Sequence, residues 1–484
     1  MHFVVKYFPE ITIKTPPVRK RFTRQLARNL SQRLKVIDKR VDIDRAWDRL
    51  TINIAEATEQ EVVAVSRILA TTPGIAYFAC ANLFKFEGLE DLAAEAANRW
   101  RDLDLKGTFC VRTKRSGQHP FNSTDIERAV GAAVLQQKPE LKVNLTQPDT
   151  TLRLEVAHQQ CFVVQQQQRG LGGFPLGTQD EVLSLVSGGF DSTVASYLTC
   201  KRGLITHFLF FNLGGPAHEL GAKEVSYFLW RKYGSSHPVK FISVPFEQIV
   251  QAILQHVHNT QMGVVLKRMM LRVADKVAKD LGIQALVTGE SVAQVASQTL
   301  KNLAVIDRAC DTLVLRPLIT MDKGDIINLS RQIGTEDFSA QMPEYCGVIS
   351  VKPTTRASED RVAREEQQLP IELVDDAFAR RRVQSITDLQ RGLDVDLSVS
   401  KVSELPPGVV VVDIRHPTEA ENSPLQLSGT IIKAIPFYRL SEQFSALNQS
   451  CQYFLYCDQG VMSQLHAAQL KEAGFSNIGV YRPQ

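Results

Sequence analysis

One stretch, Ser187-Gly188-Gly189-Phe190-Asp191-Ser192, limits what this chain can fold into more than any other feature. It lies between an apolar run, Val182 to Val186, and a helix-like run, Thr193 to Leu198. The pattern reads as strand, tight turn and helix, the unit from which parallel sheets are built. The two glycines let the backbone approach an anion with no Cβ in the way. Amides of the turn and of the helix start then face that anion. The two serines add hydroxyl donors. Asp191 is the odd member, because a carboxylate repels a phosphate unless a divalent cation lies between them. The stretch therefore predicts a site for a nucleotide with Mg2+, held in part by Asp191. It lacks the Gly-Lys-Ser/Thr ending of a Walker A loop.

The alternation continues downstream. Strand candidates are 182–186, 205–211, 239–244, 285–288 and 312–315, with a strong helix over 264–281. This predicts a doubly wound parallel sheet with helices on both faces. Ligands of such sheets bind at the carboxyl ends of strands, so Ser187 and Gly289 are expected to face one pocket.

At 484 residues the chain has room for three or four domains of roughly 100–200 residues each. Its charge is unevenly placed. Residues 1–60 hold 13 Lys/Arg against 7 Asp/Glu, a net of +6, which leaves −2 of the total +4 for the rest. A basic surface of this kind is a footprint of nucleic-acid binding, and equally of a solvated basic helix. Residues 2–14 alternate as a strand would. Residues 19–35 read as an amphipathic helix with Phe22, Leu26, Leu30 and Leu34 on one face and Arg19, Arg21, Arg24, Arg28 and Arg33 on the other. With a strand at 50–54 and a helix at 61–69, the order suits a ferredoxin-like α+β domain. Farther on, Phe109 to Arg115 is a strand ending in cations, which makes Arg112, Lys114 and Arg115 candidate phosphate contacts. Ser123 begins a capped helix. The Gly-rich segment 169–177 reads as a domain boundary, and 358–400 as a charged segment sparse in apolar periodicity apart from a helix near 377–393. No apolar stretch approaches the ~20 residues of a membrane span and no signal-peptide core follows Met1, so a cytoplasmic protein with no membrane partner is expected.

Eight cysteines are scattered along the chain, none in a Cys-x-x-Cys pair, which argues against a disulfide framework or a structural zinc site. Cys457 lies where an apolar strand, 453–456, hands over to a helix. Backbone amides there would stabilise a thiolate, and a buried inert cysteine has the same spacing. Cys457-Asp458-Gln459-Gly460-Val461-Met462-Ser463, with Val412-Asp413-Ile414-Arg415-His416-Pro417-Thr418-Glu419 upstream, resembles a rhodanese domain. Rhodaneses carry persulfide sulfur on such a cysteine. Positions 458–463 have no cation, which leaves stabilisation to backbone amides. The last unit, 405–484, carries five Lys/Arg and six Asp/Glu, so it is not a polyanion binder by itself.

The Ser187–Ser192 turn is similar to the PP-loop of ATP pyrophosphatases, which adenylate a carbonyl-type oxygen. Further marks are Gly170-Leu171-Gly172-Gly173-Phe174-Pro175-Leu176-Gly177-Thr178, Leu266-Lys267-Arg268-Met269-Met270, Thr288-Gly289-Glu290-Ser291, Val295-Ala296-Ser297-Gln298-Thr299-Leu300 and Glu344-Tyr345-Cys346-Gly347-Val348. Together they resemble the tRNA 4-thiouridine synthetases of the ThiI type. The resemblance implies a multidomain α/β and α+β chain: ferredoxin-like domain 1–60, THUMP domain 61–167, PP-loop domain 178–395 and rhodanese domain 405–484. It implies ATP contacts at Leu185, Val186, Ser187, Gly188, Gly189, Asp191, Ser192, Lys267, Gly289 and Gln298. Ala293 stands where the resemblance has a glycine before a glutamine. Cys457 would carry the persulfide, and Cys346 would form a disulfide with it during turnover.

Implied partners are tRNA, thiolated at uridine 8, a cysteine desulfurase of the IscS type as donor, and a ThiS-type carrier protein of thiamine synthesis. The resemblance leaves room for a homodimer. Three other readings stay open: an enzyme acting only in carrier-protein thiocarboxylation, an ATP-dependent ligase or amidotransferase of the PP-loop class, and a non-catalytic RNA-binding protein with a redox-sensing cysteine.

Overall fold

A computed structural model of the chain describes residues 2–37, 41–55, 57–101, 105–213, 215–340, 352–391, 400–415, 420–421, 423–427, 429–457, 463, 466–467, 470–471 and 473–483. It divides into two compact units, Met1–Gln179 with Lys201–Gly203, and Asp180–Cys200 with Leu204–Gln484.

The first unit is built on one eight-stranded sheet. Its elements are β1 (His2–Tyr7), α1 (Pro9–Thr12), α2 (Pro16–Arg33), β2 (Val41–Arg45), β3 (Arg49–Ile54), α3 (Glu59–Ala70), β4 (Ile75–Lys85), α4 (Leu89–Arg99), β5 (Thr108–Ser116), α5 (Ser123–Gln137), β6 (Lys142–Val143), β7 (Thr150–Ala157) and β8 (Gln160–Gly172). The strand order is β2-β3-β1-β4-β8-β7-β5-β6. The long antiparallel pair β4–β8 joins the ferredoxin-like half to the second α+β half in a single sheet. Two apolar cores lie on it. Leu26, Leu30 and Leu34 of the α2 region join Phe3, Val5 and Ile52 in one, and Trp100, Phe109, Ile126 and Leu154 belong to the other.

Three expectations change here. The strand expected over 2–14 ends at Tyr7, because Pro9 sets a helical turn at its first position. Helix α5 is capped by Asn122, whose side chain accepts from the Asp125 amide while Asp125 accepts from the Asn122 amide. The Gly-rich segment expected as a boundary begins as the end of β8. A Cβ at Gly170 would lie 2.4 Å from the carbonyl oxygen of Ile75, so close strand approach explains that glycine.

Arg33 also leaves the solvated face expected for it. It is buried, and its guanidinium donates to the carbonyl of Thr71 at 2.9 Å and to the hydroxyls of Thr72 at 2.7 Å and Thr71 at 2.9 Å. A cation on the last carbonyls of α3 complements the negative end of that helix.

In the second unit a six-stranded sheet comes first. Its elements are β9 (Glu181–Val186), α6 (Phe190–Lys201), β10 (Ile205–Asn212), α7 (Gly215–Leu229), β11 (Lys240–Pro245), α8 (Glu247–His256), α9 (Met262–Leu281), β12 (Ala285–Val287), α10 (Leu300–Asp307), β13 (Leu313–Leu315), α11 (Lys323–Ile333), α12 (Glu336–Ala340), α13 (Glu359–Glu366), α14 (Leu373–Ala379), β14 (Arg382–Ser385) and α15 (Asp388–Arg391). The order β13-β12-β9-β10-β11-β14 is parallel except for β14, which pairs antiparallel with β11 at the edge. Residues 359–391 are part of this folded domain, and the helix expected near 377–393 is instead α14, β14 and α15, because Arg382–Ser385 pairs as an edge strand with β11. Ala357, Val362 and Ala377 belong to the same core as α9.

A third sheet, all parallel, contains β15 (Lys401–Val402), β16 (Val410–Asp413), β17 (Ile431–Ala434), α16 (Phe437–Phe444), β18 (Tyr453–Tyr456) and β19 (Ile478–Tyr481) in the order β15-β19-β18-β16-β17. Among the described residues no helix is long and apolar enough to cross a membrane.

Arg33→Ala should loosen the end of α3 by roughly 1–3 kcal/mol, the cost of hydrogen bonds lost from a charged donor. Hydrogen exchange at the amides of residues 67–72 reads this directly, and rates equal to the parent would contradict it.

Candidate active site

In the six-stranded sheet the chain runs outward from β9 through β10 to β11, then returns to the other side of β9 with β12 and β13. The point of reversal lies between β9 and β12. The Ser187 turn leaves the carboxyl end of β9, and Thr288-Gly289-Glu290 leaves that of β12, where open α/β sheets place their ligands. Leu185 and Val186 pair with Leu209 and Phe210 within the sheet.

The turn holds its own shape. Gly188 has φ +85°, a left-handed conformation natural to glycine. The Ser192 hydroxyl accepts from the Ser187 amide at 3.2 Å and contacts the Gly189 carbonyl at 3.2 Å. A Cβ added at Gly189 would meet only Ser187 Oγ, at 3.6 Å, so space is open beside the turn. At Gly289 the missing Cβ makes room for backbone, since a Cβ would lie 2.5 Å from the Asp191 carbonyl carbon and 2.6 Å from the Ser192 nitrogen. The glycine thus lets one loop pack on the other.

Asp191 is not bare. Lys323, the first residue of α11, donates to one carboxylate oxygen at 2.8 Å, and the Gln294 amide donates to the other at 2.6 Å. Neither partner follows from sequence spacing, for they lie 132 and 103 positions away. Ala293, beside Gln294, has φ +65°. This left-handed conformation is costly for alanine and free for glycine, which accounts for the glycine in the resemblance.

A second carboxylate organises the neighbouring loop. Glu290 is buried and accepts from Lys267 at 2.8 Å, Arg316 at 2.8 Å and the Thr288 hydroxyl at 3.1 Å. Burial alone would raise its pKa, but the two cations outweigh burial and hold it below the ordinary carboxylate value. Lys267, expected as a free point charge, is engaged with Glu290. Gln298 is buried, and its Oε1 has no hydrogen-bond partner among the described residues. His218 in α7 lies 3.2 Å from the Ser187 carbonyl through Nε2, which must therefore carry the proton. Burial keeps that imidazole below the ordinary histidine value.

Cys457 follows β18 at the carboxyl edge of the third sheet, again beside a reversal of strand order, between β18 and β16. Its Sγ accepts from the Ser463 amide at 3.4 Å and lies 3.4 Å from the Ser463 hydroxyl. At the end of the paired strand β16, Asp413 lies opposite Tyr456 and forms a buried pair with Arg415 at 2.6 Å, with the Arg415 guanidinium 5.0 Å from the centre of the Tyr456 ring. The expected partner Cys346 lies outside the described residues. No disulfide joins any two of the seven described cysteines. Burial raises Cys161 to about 12 and Cys310 to about 11, and raises Cys80 as well, which favours the protonated thiol in all three.

In the first unit Arg112 and Lys114 line a cavity of about 470 Å³ with Tyr77, Arg153 and Gln167. Arg112 donates to the Leu145 carbonyl at 2.7 Å, and Lys114 lies 3.4 Å from the Tyr77 hydroxyl. Arg115 is one strand position out of phase with them, and contacts His119 and the Gly117 carbonyl instead. The structure therefore brings together two of the three expected cations. Basic α2 adds a shallow groove lined by Lys20, Arg21, Arg24 and Arg28.

An α/β sheet carrying this turn at its reversal point, in a chain that also has a ferredoxin-like sheet and a second α+β half, defines a PP-loop-type protein. The models of three families match it: Thiamine biosynthesis protein (ThiI) over 177–371, THUMP domain over 86–164 and ThiI ferredoxin-like domain over 2–79. The chain is 48% identical over 484 residues to a tRNA sulfurtransferase of Shewanella pealeana, and 50% identical over 486 residues to one of Saccharophagus degradans. Each match covers 100% of both chains. A solved structure described as a 4-thiouridine synthetase–RNA complex with bound ATP superposes with a TM-score of 0.70 at 26% identity. It covers 80% of this chain and 99% of the other. The chain belongs to the tRNA sulfurtransferase family.

Two outcomes test the site. Ala293→Gly relieves a left-handed alanine and should raise the thermal midpoint, by an amount corresponding to roughly 1 kcal/mol. A lowered midpoint would show that the Ala293 methyl is needed. Glu290 has its pKa depressed by folding, so its contribution is present at neutral pH and lost as pH falls through the carboxylate range. Glu290→Gln should therefore unfold at lower temperature than the parent at pH 7, with the gap narrowing as pH falls. A gap independent of pH would sink this assignment.

Proposed function

We propose that the chain makes 4-thiouridine in tRNA by adenylating O4 of a uridine at the Ser187–Ser192 turn and replacing that oxygen with sulfur carried on Cys457. One observation carries the reading: the turn at the β9/β12 reversal has open space beside Gly189 and a buried, unpartnered acceptor at Gln298. This donor and acceptor set suits ATP. The similar synthetase structure, with its RNA and bound ATP, supports the same use. Ser187, Gly188, Gly189 and Ser192 would hold phosphates, Lys267 would add positive charge, and Leu185, Val186 and Gln298 would meet the nucleoside. Asp191 would hold Mg2+, which when bound neutralises phosphate charge.

The uridine O4 forms a bond to the α-phosphorus of ATP, and pyrophosphate leaves. C4 then carries AMP as leaving group, which an unmodified uracil carbonyl lacks. A cysteine desulfurase of the IscS type hands sulfane sulfur to Cys457, giving a persulfide. Its terminal sulfur bonds to C4 as AMP departs. The Cys346 thiolate then attacks Cys457 Sγ, releasing thiouridine and leaving a Cys346–Cys457 disulfide that a dithiol reduces. In a variant of the scheme Cys346 attacks first and the released hydrosulfide attacks C4. Arg112, Lys114 and the arginines of α2 would hold tRNA phosphates, with Arg115 on the opposite strand face, and uridine 8 is the target base. A second role, sulfur delivery to a ThiS-type carrier protein, is favoured by the matching family described as a thiamine biosynthesis protein.

The test supplies tRNA, Mg-ATP, cysteine and a desulfurase, and measures thiouridine by nucleoside mass spectrometry. Asp191→Ala should abolish thiouridine while Cys457 still gains a persulfide. Cys457→Ser should abolish both. Thiouridine formed at the parental rate in either variant rejects the scheme.

A further inference from the structure

The third sheet does not stand apart from the six-stranded sheet. Its apolar core, which includes Val412, Leu440, Leu455, Cys457 and Leu470, is continuous with Val225 of α7 and Phe338 of α12. Phe228 of α7 packs against the same cluster, 5.0 Å from the Phe338 ring. At this contact His466 Nε2 lies 2.6 Å from Glu224 Oε1, with the two side chains only 6% and 7% exposed.

A carboxylate and an imidazole taken out of water are costly unless they meet. Here they come from segments some 240 positions apart, one on each sheet's helical layer. Were the two layers separated, each group would face its own apolar surface or solvent alone. A pair of this kind fixes one docking register in preference to others. Cys457 belongs to the cluster so formed, and is 8% exposed, with Ser463 fully buried. To take sulfur from another protein, Sγ must come within bonding distance of a foreign sulfur. At 8% exposure Cys457 offers little surface for that approach.

α7 is also the helix that supports the nucleotide turn. His218, in its first turn, touches the Ser187 carbonyl, and Glu219 accepts from Asn212 at 3.1 Å. Glu224 lies less than two turns farther along the same helix.

We infer that the α7–α12 face is a docking surface for this chain's own C-terminal unit, latched by Glu224 and His466, and that the docked state shields Cys457 and must open for sulfur to be loaded. The consequence for loading rests on Cys457 as sulfur carrier. The docking itself does not, and it is read by a measurement that involves neither ATP nor tRNA.

The full chain is treated with iodoacetamide, and alkylation of Cys457 is followed by peptide mass spectrometry, with Cys200 of α6 as a reporter of general unfolding. Glu224→Ala and the milder Glu224→Gln should each speed Cys457 alkylation, by roughly tenfold for alanine, through a larger open population. Cys200 should remain protected. Exchanging the partners, Glu224→His with His466→Glu, should restore slow alkylation. Equal Cys457 rates in the parent and Glu224→Gln, or an exchanged pair as reactive as Glu224→Ala, would overturn the inference. If alanine exposes Cys200 as well, the glutamine and exchanged variants decide. Loss of thiouridine synthesis with normal Cys457 protection would count against the proposed chemistry and leave the docking intact.

Discussion

The approach of Gly289 to the backbone of Asp191 and Ser192 is the contact on which the rest of the nucleotide edge depends. Two loops leave adjacent strands, and any side chain at 289 would push them apart by the width of a methyl group. Because they touch, Glu290 falls beneath them, where Lys267 from α9 and Arg316 after β13 reach it. The loop after β12, helix α9 and the segment after β13 are thereby tied to one buried carboxylate.

The charges of both candidate centres are already balanced inside the protein. Asp191 has Lys323, Glu290 has Lys267 and Arg316, and Asp413 has Arg415. A buried charge without such a partner would shift toward neutrality or disrupt its surroundings. The arrangement sets a cation against each of these carboxylates. It also means that Lys267 and Lys323 are each already oriented by a carboxylate.

What could be read from the sequence follows from where the signal lies. Strands β9 to β11 and helix α9 carry long apolar patterns, and the elements appear within a residue or two of expectation. The Ser187 turn announces itself because glycine and serine there have no role in packing. β14 gave no such signal. Arg382, Val383 and Gln384 are exposed, and the strand exists through backbone pairing with β11 alone. Arg33 looked like one more surface cation, since nothing in local spacing marks the helix end it caps. Lys323 and Gln294 were invisible for the same reason. The one available clue was electrostatic: an Asp in a phosphate loop calls for a cation, and Asp322-Lys323 opens a helix downstream. Ala293 was legible as a departure, but only its φ gave that departure a physical meaning.

The pairing of β4 with β8 makes the first unit a single sheet from β2 to β6. The basic helix α2 packs at the β2 end, while Arg112 and Lys114 project from β5 near the other. Six strand spacings of about 4.8 Å separate β2 from β5, roughly 29 Å before twist is counted. No hinge interrupts that distance. The two cationic patches lie on opposite faces of that sheet: Val4 lines the cavity of Arg112 and Lys114, whereas its neighbours Phe3 and Val5 pack with Leu26 and Leu30 of α2.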